Sequence, residues 1–418
     1  MKELGMYSIG TGDRFGREGE AQIAAFRALR ERGVEATIVW NKSNREHVIV
    51  GSGPADQQAA AEAAVKAAGW DGQWFVDADH VGLSTVDRFI PHCDFFTLDV
   101  ADYIGKPADG AAVDTFVRRH ADLSRVTLPS CPLPLDLSPT RIRASAARYL
   151  SAVREAAKVY RRIAEVKGAE NFVTEVSMDE TATPQSPQDL LVILAALADE
   201  GVPVATIAPK FSGRFNKGMD YVGDVAAFLR EFEADALVAR RAAELFGLPS
   251  GLKLSVHSGS DKYSLYPGIG RILRDGGLGI HLKTAGTTWL EELVGLAEVG
   301  GEGLQVAKDI YKAAHGRFDE LVGPYAEVVD IDRAALPSPG DVEAWSAQRY
   351  VAALRHVPGG KAMDPNVRQL LHVGYKVAAE MGPRWLDALC RNRASAARNV
   401  IANLLDRHLT PLFLQKTQ

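Results

Sequence analysis

Three histidines, six carboxylates and a scatter of cations stand at or just past the ends of short apolar runs. His80 closes WFVDADH (Trp74–His80), His257 falls within LKLSVHSGSDK (Leu252–Lys262), and His281 lies in GIHLKTAG (Gly279–Gly286). Imidazole binds Zn, Ni, Co or Mn, and carboxylates complete such sites, so these three are candidate ligands for a divalent metal cation. The remaining histidines fall in helix or loop contexts, His315 in KAAHGR being the least settled of them. The acidic candidates are Asp77, Asp79, Asp99, Glu175, Asp179 and Glu180. A buried carboxylate must be paired, coordinated or protonated, and two carboxylates in different surroundings can serve as an acid and a base. Simple ion pairing with Lys210, Lys253, Lys262 or Lys283 is the plainer reading of each. Arg14, Lys42, Lys210, Arg214, Lys217, Lys262 and Lys283 supply positive charge, and Ser258 with Asp261 lies in the glycine-bearing SGSDK loop. Such groups suit a small substrate carrying a carboxylate and several hydroxyls.

Eight runs would have to position these groups: Met6–Gly10, Ala36–Asn41, Gln73–Asp77, Phe95–Asp99, Asn171–Ser177, Pro203–Ala208, Leu252–His257 and Leu278–Leu282. Most are separated by helical patterns, among them Glu18–Arg32, Asp56–Ala68, Ser138–Val166, Pro187–Glu200, Val222–Phe246 and Thr287–Val299. Repeated strand–helix alternation implies a parallel sheet with helices outside, and eight repeats imply closure into an α/β, TIM-like (β/α)8 barrel. An antiparallel sheet would also alternate, but it needs hairpin turns where this chain has helices.

Alternation then sorts the side chains. Asp77, Asp79, Thr97, Asp99, Glu175, Ser177, Asp179, His257, His281 and Lys283 fall on the inner faces, and Val76, Val176 and Val256 on the outer. Asp79 with Glu175 is therefore the expected acid/base pair, with Glu180, just past the strand, as runner-up. His80 is the exception: strict alternation turns it away from Asp79, so it has to lie beyond the strand end to bind metal. Residues 1–325 are expected to form the barrel and 326–418 a C-terminal helical extension, with helices near Ser346–Arg355, Asn366–Met381 and Trp385–Leu412.

Composition narrows the function classes. The 418 residues carry a net charge of -5, and the basic residues are scattered, which argues against nucleic acid and anionic membranes as partners. No apolar run approaches the ~18 residues of a membrane span, and MKELGMYSIGTGDRFG lacks the pattern of a secretory signal. Cys93, Cys131 and Cys390 are too few and too far apart for a disulfide framework, so a cytoplasmic setting is expected. Self-association into a homo-oligomer is left open.

The stretches SIGTGDRFG, FVDADHVGL, TEVSMDE, APKFSGRFNKGMDYVGD, KLSVHSGSDKYSLYP and GIHLKTAGTTWLEE together resemble the tagaturonate/fructuronate epimerases. The resemblance implies a metal-dependent barrel enzyme that interconverts D-tagaturonate and D-fructuronate. With the alternation pattern, it points to His80, His257 and His281 as metal ligands and to Asp79 and Glu175 as acid/base groups. Arg14, Lys210, Arg214, Ser258, Asp261, Lys262 and Lys283 are the expected substrate contacts. The ketohexoses fructose and tagatose share the stereochemistry, and a class II-like sugar aldolase, a ketose isomerase or a non-catalytic sugar-binding barrel are the rival readings.

Overall fold

The computed structural model describes residues 2–128 and 130–414. Eight parallel strands close in sequence order: β1 (Tyr7–Thr11), β2 (Thr37–Ser43), β3 (Trp74–Val81), β4 (Phe95–Asp99), β5 (Val173–Ser177), β6 (Thr206–Ala208), β7 (Lys253–His257) and β8 (Ile280–Lys283). All eight expected runs form strands. Their outer residues, such as Val76, Leu98, Val176, Ile207, Leu254 and Leu282, pack into one cluster with the surrounding helices. Their inner residues separate by height. Val39, Phe75, Phe95, Val173 and Ala205 fill the floor as a distinct apolar cluster, and polar side chains occupy the layers above. That gradient leaves the chemistry at the C-terminal ends of the strands.

Local signals explain most helix boundaries. Ser186 caps Pro187–Asp199 through a reciprocal bond with Asp189, Ser138 caps Pro139–Lys167, and Asp224 starts Val225–Phe246 three residues later than alternation suggests. A helix that the apolar pattern does not announce, Asn44–Val50, follows β2 directly, with Ser43 and Glu46 capping one another. The C-terminal helices are shorter than expected. The Asn366–Met381 stretch breaks at Gly374 into Pro365–Val373 and Tyr375–Met381. Trp385–Leu412 breaks at Asn392 and runs through a π-helical segment, Asn403–Leu409.

A second apolar cluster runs from Trp289 on the last barrel helix to Ala396, whereas Leu404, Leu409, Leu412 and Phe413 return to the barrel cluster. Asp261, fully buried at the rim, ties the two together. It lies 2.6 Å from Arg368 Nη2, 3.1 Å from His356 Nδ1 and 3.7 Å from His408 Nε2. Among the described residues, no helix is long and apolar enough to cross a membrane.

One charged side chain sits in the floor. The Lys253 ammonium donates to the carbonyls of Gly5 and Leu4 and has no acidic partner among the described residues. Burial pushes its pKa down to about 7. The unfolded chain keeps its proton up to the ordinary lysine value of about 10.4. Between these two pH values the unfolded state binds the extra proton, so the cost of burying Lys253 is full below pH 7 and fades as pH rises toward 10. Lys253→Met is therefore expected to stabilise the fold by about 2 kcal/mol at neutral pH, with the gain shrinking toward pH 10. Paired denaturant titrations at both pH values check this.

Candidate active site

Lys283, the last residue of β8, reaches across the barrel into a trio of carboxylates. Its Nζ donates to Asp77 Oδ2 at 2.7 Å and Asp79 Oδ1 at 2.8 Å, and lies 2.9 Å from Glu175 Oε1. The Thr97 hydroxyl accepts from Lys283 and donates toward Asp77 at 3.0 Å. Gly10, its register neighbour on β1, makes the crossing possible. A Cβ there would stand 2.8 Å from Lys283 Cγ, so only glycine leaves room. Burial opposes the charge on Lys283, but the three carboxylates overcome it and raise its pKa well above the ordinary value. Burial likewise opposes ionisation of Glu175 and Asp79, and Lys283 together with the neighbouring histidines outweighs it in both. Glu175 is held well below the usual carboxylate range, and Asp79 falls to about 2. In Asp77 burial wins: it lifts the carboxyl to about 7, with Asp79 and Glu175 reinforcing it against Lys283.

His257, at the end of β7, stands above this layer. Its Nε2 donates to Glu175 Oε1 at 2.8 Å, which leaves Nδ1 facing Asp179 Oδ2 at 3.2 Å. His80 packs edge-on against it, with ring centroids 5.2 Å apart. His80 Nδ1 lies 3.5 Å from Asp99 Oδ2, and Nε2 lies 3.9 Å from Asp79 Oδ1. Both imidazoles are desolvated, which favours the neutral ring, yet the surrounding carboxylates prevail. His257 is raised to about 9 by Asp179 and Glu175, and His80 well above its ordinary value by Asp79 and Asp99.

The position of His80 resolves the alternation problem. Between Ala78 and Val81 the β3–β4 pairing gains a residue, as a β-bulge does. His80 adopts φ 52°, the one left-handed backbone among the described non-glycine residues. The bulge and the left-handed turn carry its ring to the mouth beside Asp79. Such a conformation costs of order 1–3 kcal/mol, and strain of this kind concentrates at functional sites.

These groups fit a metal cation. His80, Asp179 and His257 each offer a ligand atom, all within 4.8 Å of one another; His80, Asp99 and Glu180 form an overlapping set. The Nδ1 atoms of His80 and His257 are buried and accept or donate no hydrogen bond. Carboxylates outnumber cations around them, and mixed imidazole–carboxylate sets suit Zn, Ni, Co and Mn. The Glu175–His257 contact is the kind that orients a ligating imidazole from behind.

Of the expected site residues, Asp79, His80, Glu175, His257 and Lys283 come together here. Lys210 joins them at the edge, its Nζ 3.4 Å from the Asp179 carbonyl. The others are held elsewhere. His281 lies two residues below Lys283 on β8, about 6–7 Å deeper. It is fully buried, bonds Ser8 Oγ through Nδ1 at 2.9 Å and stacks near Phe95; burial drives its pKa down to about 3. It is not among the converging ligand atoms, where Asp179 stands with His80 and His257. Asp261 is spent on Arg368, His356 and the C-terminal segment. Lys262 is also fully buried, its Nζ donating to the Met219 and Asn216 carbonyls at 2.9 and 3.2 Å. The Ser258 hydroxyl donates to the Lys283 carbonyl at 2.7 Å. Arg214 is half-exposed at the outer rim, 3.1 Å from Asp330. Arg14 lies at the inner rim, paired to Glu46 at 2.9 Å. His315 sits on the outer helix Gly301–Gly316, packed beside Tyr311.

A profile of the tagaturonate epimerase family, UxaE, matches residues 2–381. The chain belongs to this family. The tagaturonate/fructuronate epimerase of Thermotoga maritima is 30% identical over 379 residues, covering 88% of this chain and 72% of that protein. Membership makes the chain an epimerase, an isomerase by class. The native crystal structure of fructuronate-tagaturonate epimerase UxaE from Cohnella laeviribosi has the same fold. Its TM-score is 0.78 at 23% identity, over 99% of this chain and 82% of that one. The same enzyme complexed with two glycerols gives 0.80 at 24% identity, over 99% and 83%.

Proposed function

We propose that this chain interconverts D-tagaturonate and D-fructuronate with a divalent cation held by His80, His257 and Asp179, by cleaving and re-forming one carbon–carbon bond. The observation that carries the reading is the pair of histidines converging with Asp179 directly above the carboxylates gathered by Lys283. A cation bound there would polarise the substrate ketone as a Lewis acid.

The two ketouronates differ at a carbon one place beyond the carbon alpha to the ketone, so proton abstraction next to the carbonyl cannot invert it. Retro-aldol chemistry can. Asp79, kept ionised by Lys283, accepts the proton of the hydroxyl on the inverting carbon. The bond between that carbon and its ketone-side neighbour breaks. Its electron pair passes into an enediolate, and the inverting carbon becomes an aldehyde. After the aldehyde turns, the enediolate carbon attacks its other face, and a carboxyl returns the proton to the new alkoxide. Atoms and charge balance with no co-reactant. Because Asp79 is a weak base, the proton moves only as the carbon–carbon bond gives way. Glu180 at the exposed rim is placed for the return step, the proton it gives being replaced from solvent while the one taken up by Asp79 is released to solvent. Glu175, with no exposed surface, acts through His257 as a positioning residue. Free Cys93, Cys131 and Cys390 support a cytoplasmic setting.

Magnetic resonance of fructuronate, tagaturonate, fructose and tagatose mixtures, with metal analysis of the same protein, tests this. The expected result is uronate epimerisation that stops on chelation and returns with added metal. Full activity after chelation would remove the metal from the account, and accumulation of three-carbon fragments would favour an aldolase.

A further inference from the structure

Two cations at the rim, Lys217 and Arg45, hold no ion pair or side-chain hydrogen bond among the described residues. Both lie over the same ring: Lys217 Nζ is 5.4 Å and Arg45 Cζ 5.1 Å from the Tyr325 centroid. The Tyr325 hydroxyl is 3.0 Å from that of Tyr375, whose own ring carries the Arg14 guanidinium at 3.9 Å. Arg14 is already neutralised by Glu46, whereas the other two charges are not. The backbone presenting Lys217 is fixed on three sides. Its N–H donates to Val328 O at 2.8 Å; the next N–H, of Gly218, donates to Ser260 Oγ at 2.9 Å; and the Gly218 carbonyl accepts from Arg368 Nε at 2.7 Å. Gly218 sits at φ +76°, a turn glycine tolerates best. The backbone that carries the ammonium is therefore fixed, and both tyrosines that build its seat come from beyond the barrel strands.

We infer that Lys217 and Arg45, over Tyr325, form the subsite that receives the carboxylate of the sugar acid and makes the enzyme prefer uronates to neutral ketohexoses. This rests on the epimerase reading above. The subsite adjoins the chemistry, because Arg45 lies two residues past Ser43, the register partner of Asp79 at the end of β2. Burial and the like charges of Arg14 and Arg45 depress the Lys217 pKa against Glu46 and Glu180, and a bound carboxylate would relieve that. Two unpaired cations on one aromatic face would discriminate by charge while leaving the hydroxyl contacts common to both substrate classes.

The test is steady-state kinetics of Lys217→Met, Arg45→Met and the double variant, with fructuronate as substrate and fructose as substrate or competitive inhibitor. KM for fructuronate is expected to rise about 10–100-fold in each single variant and further in the double, with kcat within a few-fold. The fructose constant should stay within about 2-fold, and Lys217→Arg should restore most of the fructuronate KM. An unchanged fructuronate KM, or a parallel loss for both sugars, would overturn the subsite while leaving the epimerase reading intact. Wild-type protein inert toward fructuronate would overturn both.

Discussion

Lys283→Met is expected to abolish epimerisation and to destabilise the fold by about 3–5 kcal/mol at neutral pH. The ammonium contacts Asp77, Asp79 and Glu175 together, and it bridges β8 to β3 and β5. Methionine fills similar space but takes away the cation shared by all three carboxylates, leaving His257 on Glu175 and His80 beside Asp79 as the remaining positive groups. Removing one partner of a buried pair costs far more than the pair itself contributes, because the abandoned charges stay desolvated. Turnover should fall about 10³-fold or more, since Asp79 loses the contact that keeps it ionised and in place. Neutralising one acid should recover stability without activity. The double variant Lys283→Met/Asp77→Asn is expected to regain a substantial part of the lost stability, because Asp77 is the carboxyl nearest to neutrality already. Chemical denaturation of both variants, beside turnover, reads the two effects. If Lys283→Met kept wild-type stability and activity, the central role of this lysine would be wrong.

Asp79 and Glu175 should fail in different ways when made isosteric amides. Asp79→Asn is expected to cut kcat by about 10²–10⁴-fold with metal content unchanged, as a proton-transfer group would. Glu175→Gln is expected to weaken metal affinity about 10–100-fold, because it loses the acceptor that fixes His257 through Nε2. Saturating metal should then restore most of its turnover, while no metal concentration rescues Asp79→Asn. Metal titrations followed by turnover separate the two. Equal loss of kcat at saturating metal would return Glu175 to the chemistry.

Alternation along the strands was enough to place Asp79, Glu175, His257 and Lys283 inside one barrel mouth, because period-two geometry holds wherever a strand is regular. It could not place His80, whose side chain is turned by a bulge and a left-handed φ of 52°. Nor does alternation report height. His281 shares the inner face with Lys283 yet lies a layer deeper, against Ser8 and Phe95. Asp261 and Lys262 look like substrate contacts from their loop. Asp261 is buried under Arg368 and His356 from the C-terminal segment, about a hundred residues on, and Lys262 is enclosed by the Asn216 and Met219 carbonyls of the loop after β6. Asp179 was visible as an acid and inward by alternation, but only the folded geometry brings it to His80 and His257. The breaks at Gly374 and Asn392 escaped because the apolar pattern continues across both.

The central claim is inversion by carbon–carbon cleavage at this mouth. It is tested most directly by converting fructuronate in deuterium oxide and reading the product by magnetic resonance. The expected result is tagaturonate with no deuterium on carbon, since the proton exchanged belongs to a hydroxyl and the enediolate carbon re-forms its bond to the aldehyde. Deuterium at the inverted carbon or its ketone-side neighbour, or no tagaturonate at all, would contradict the account.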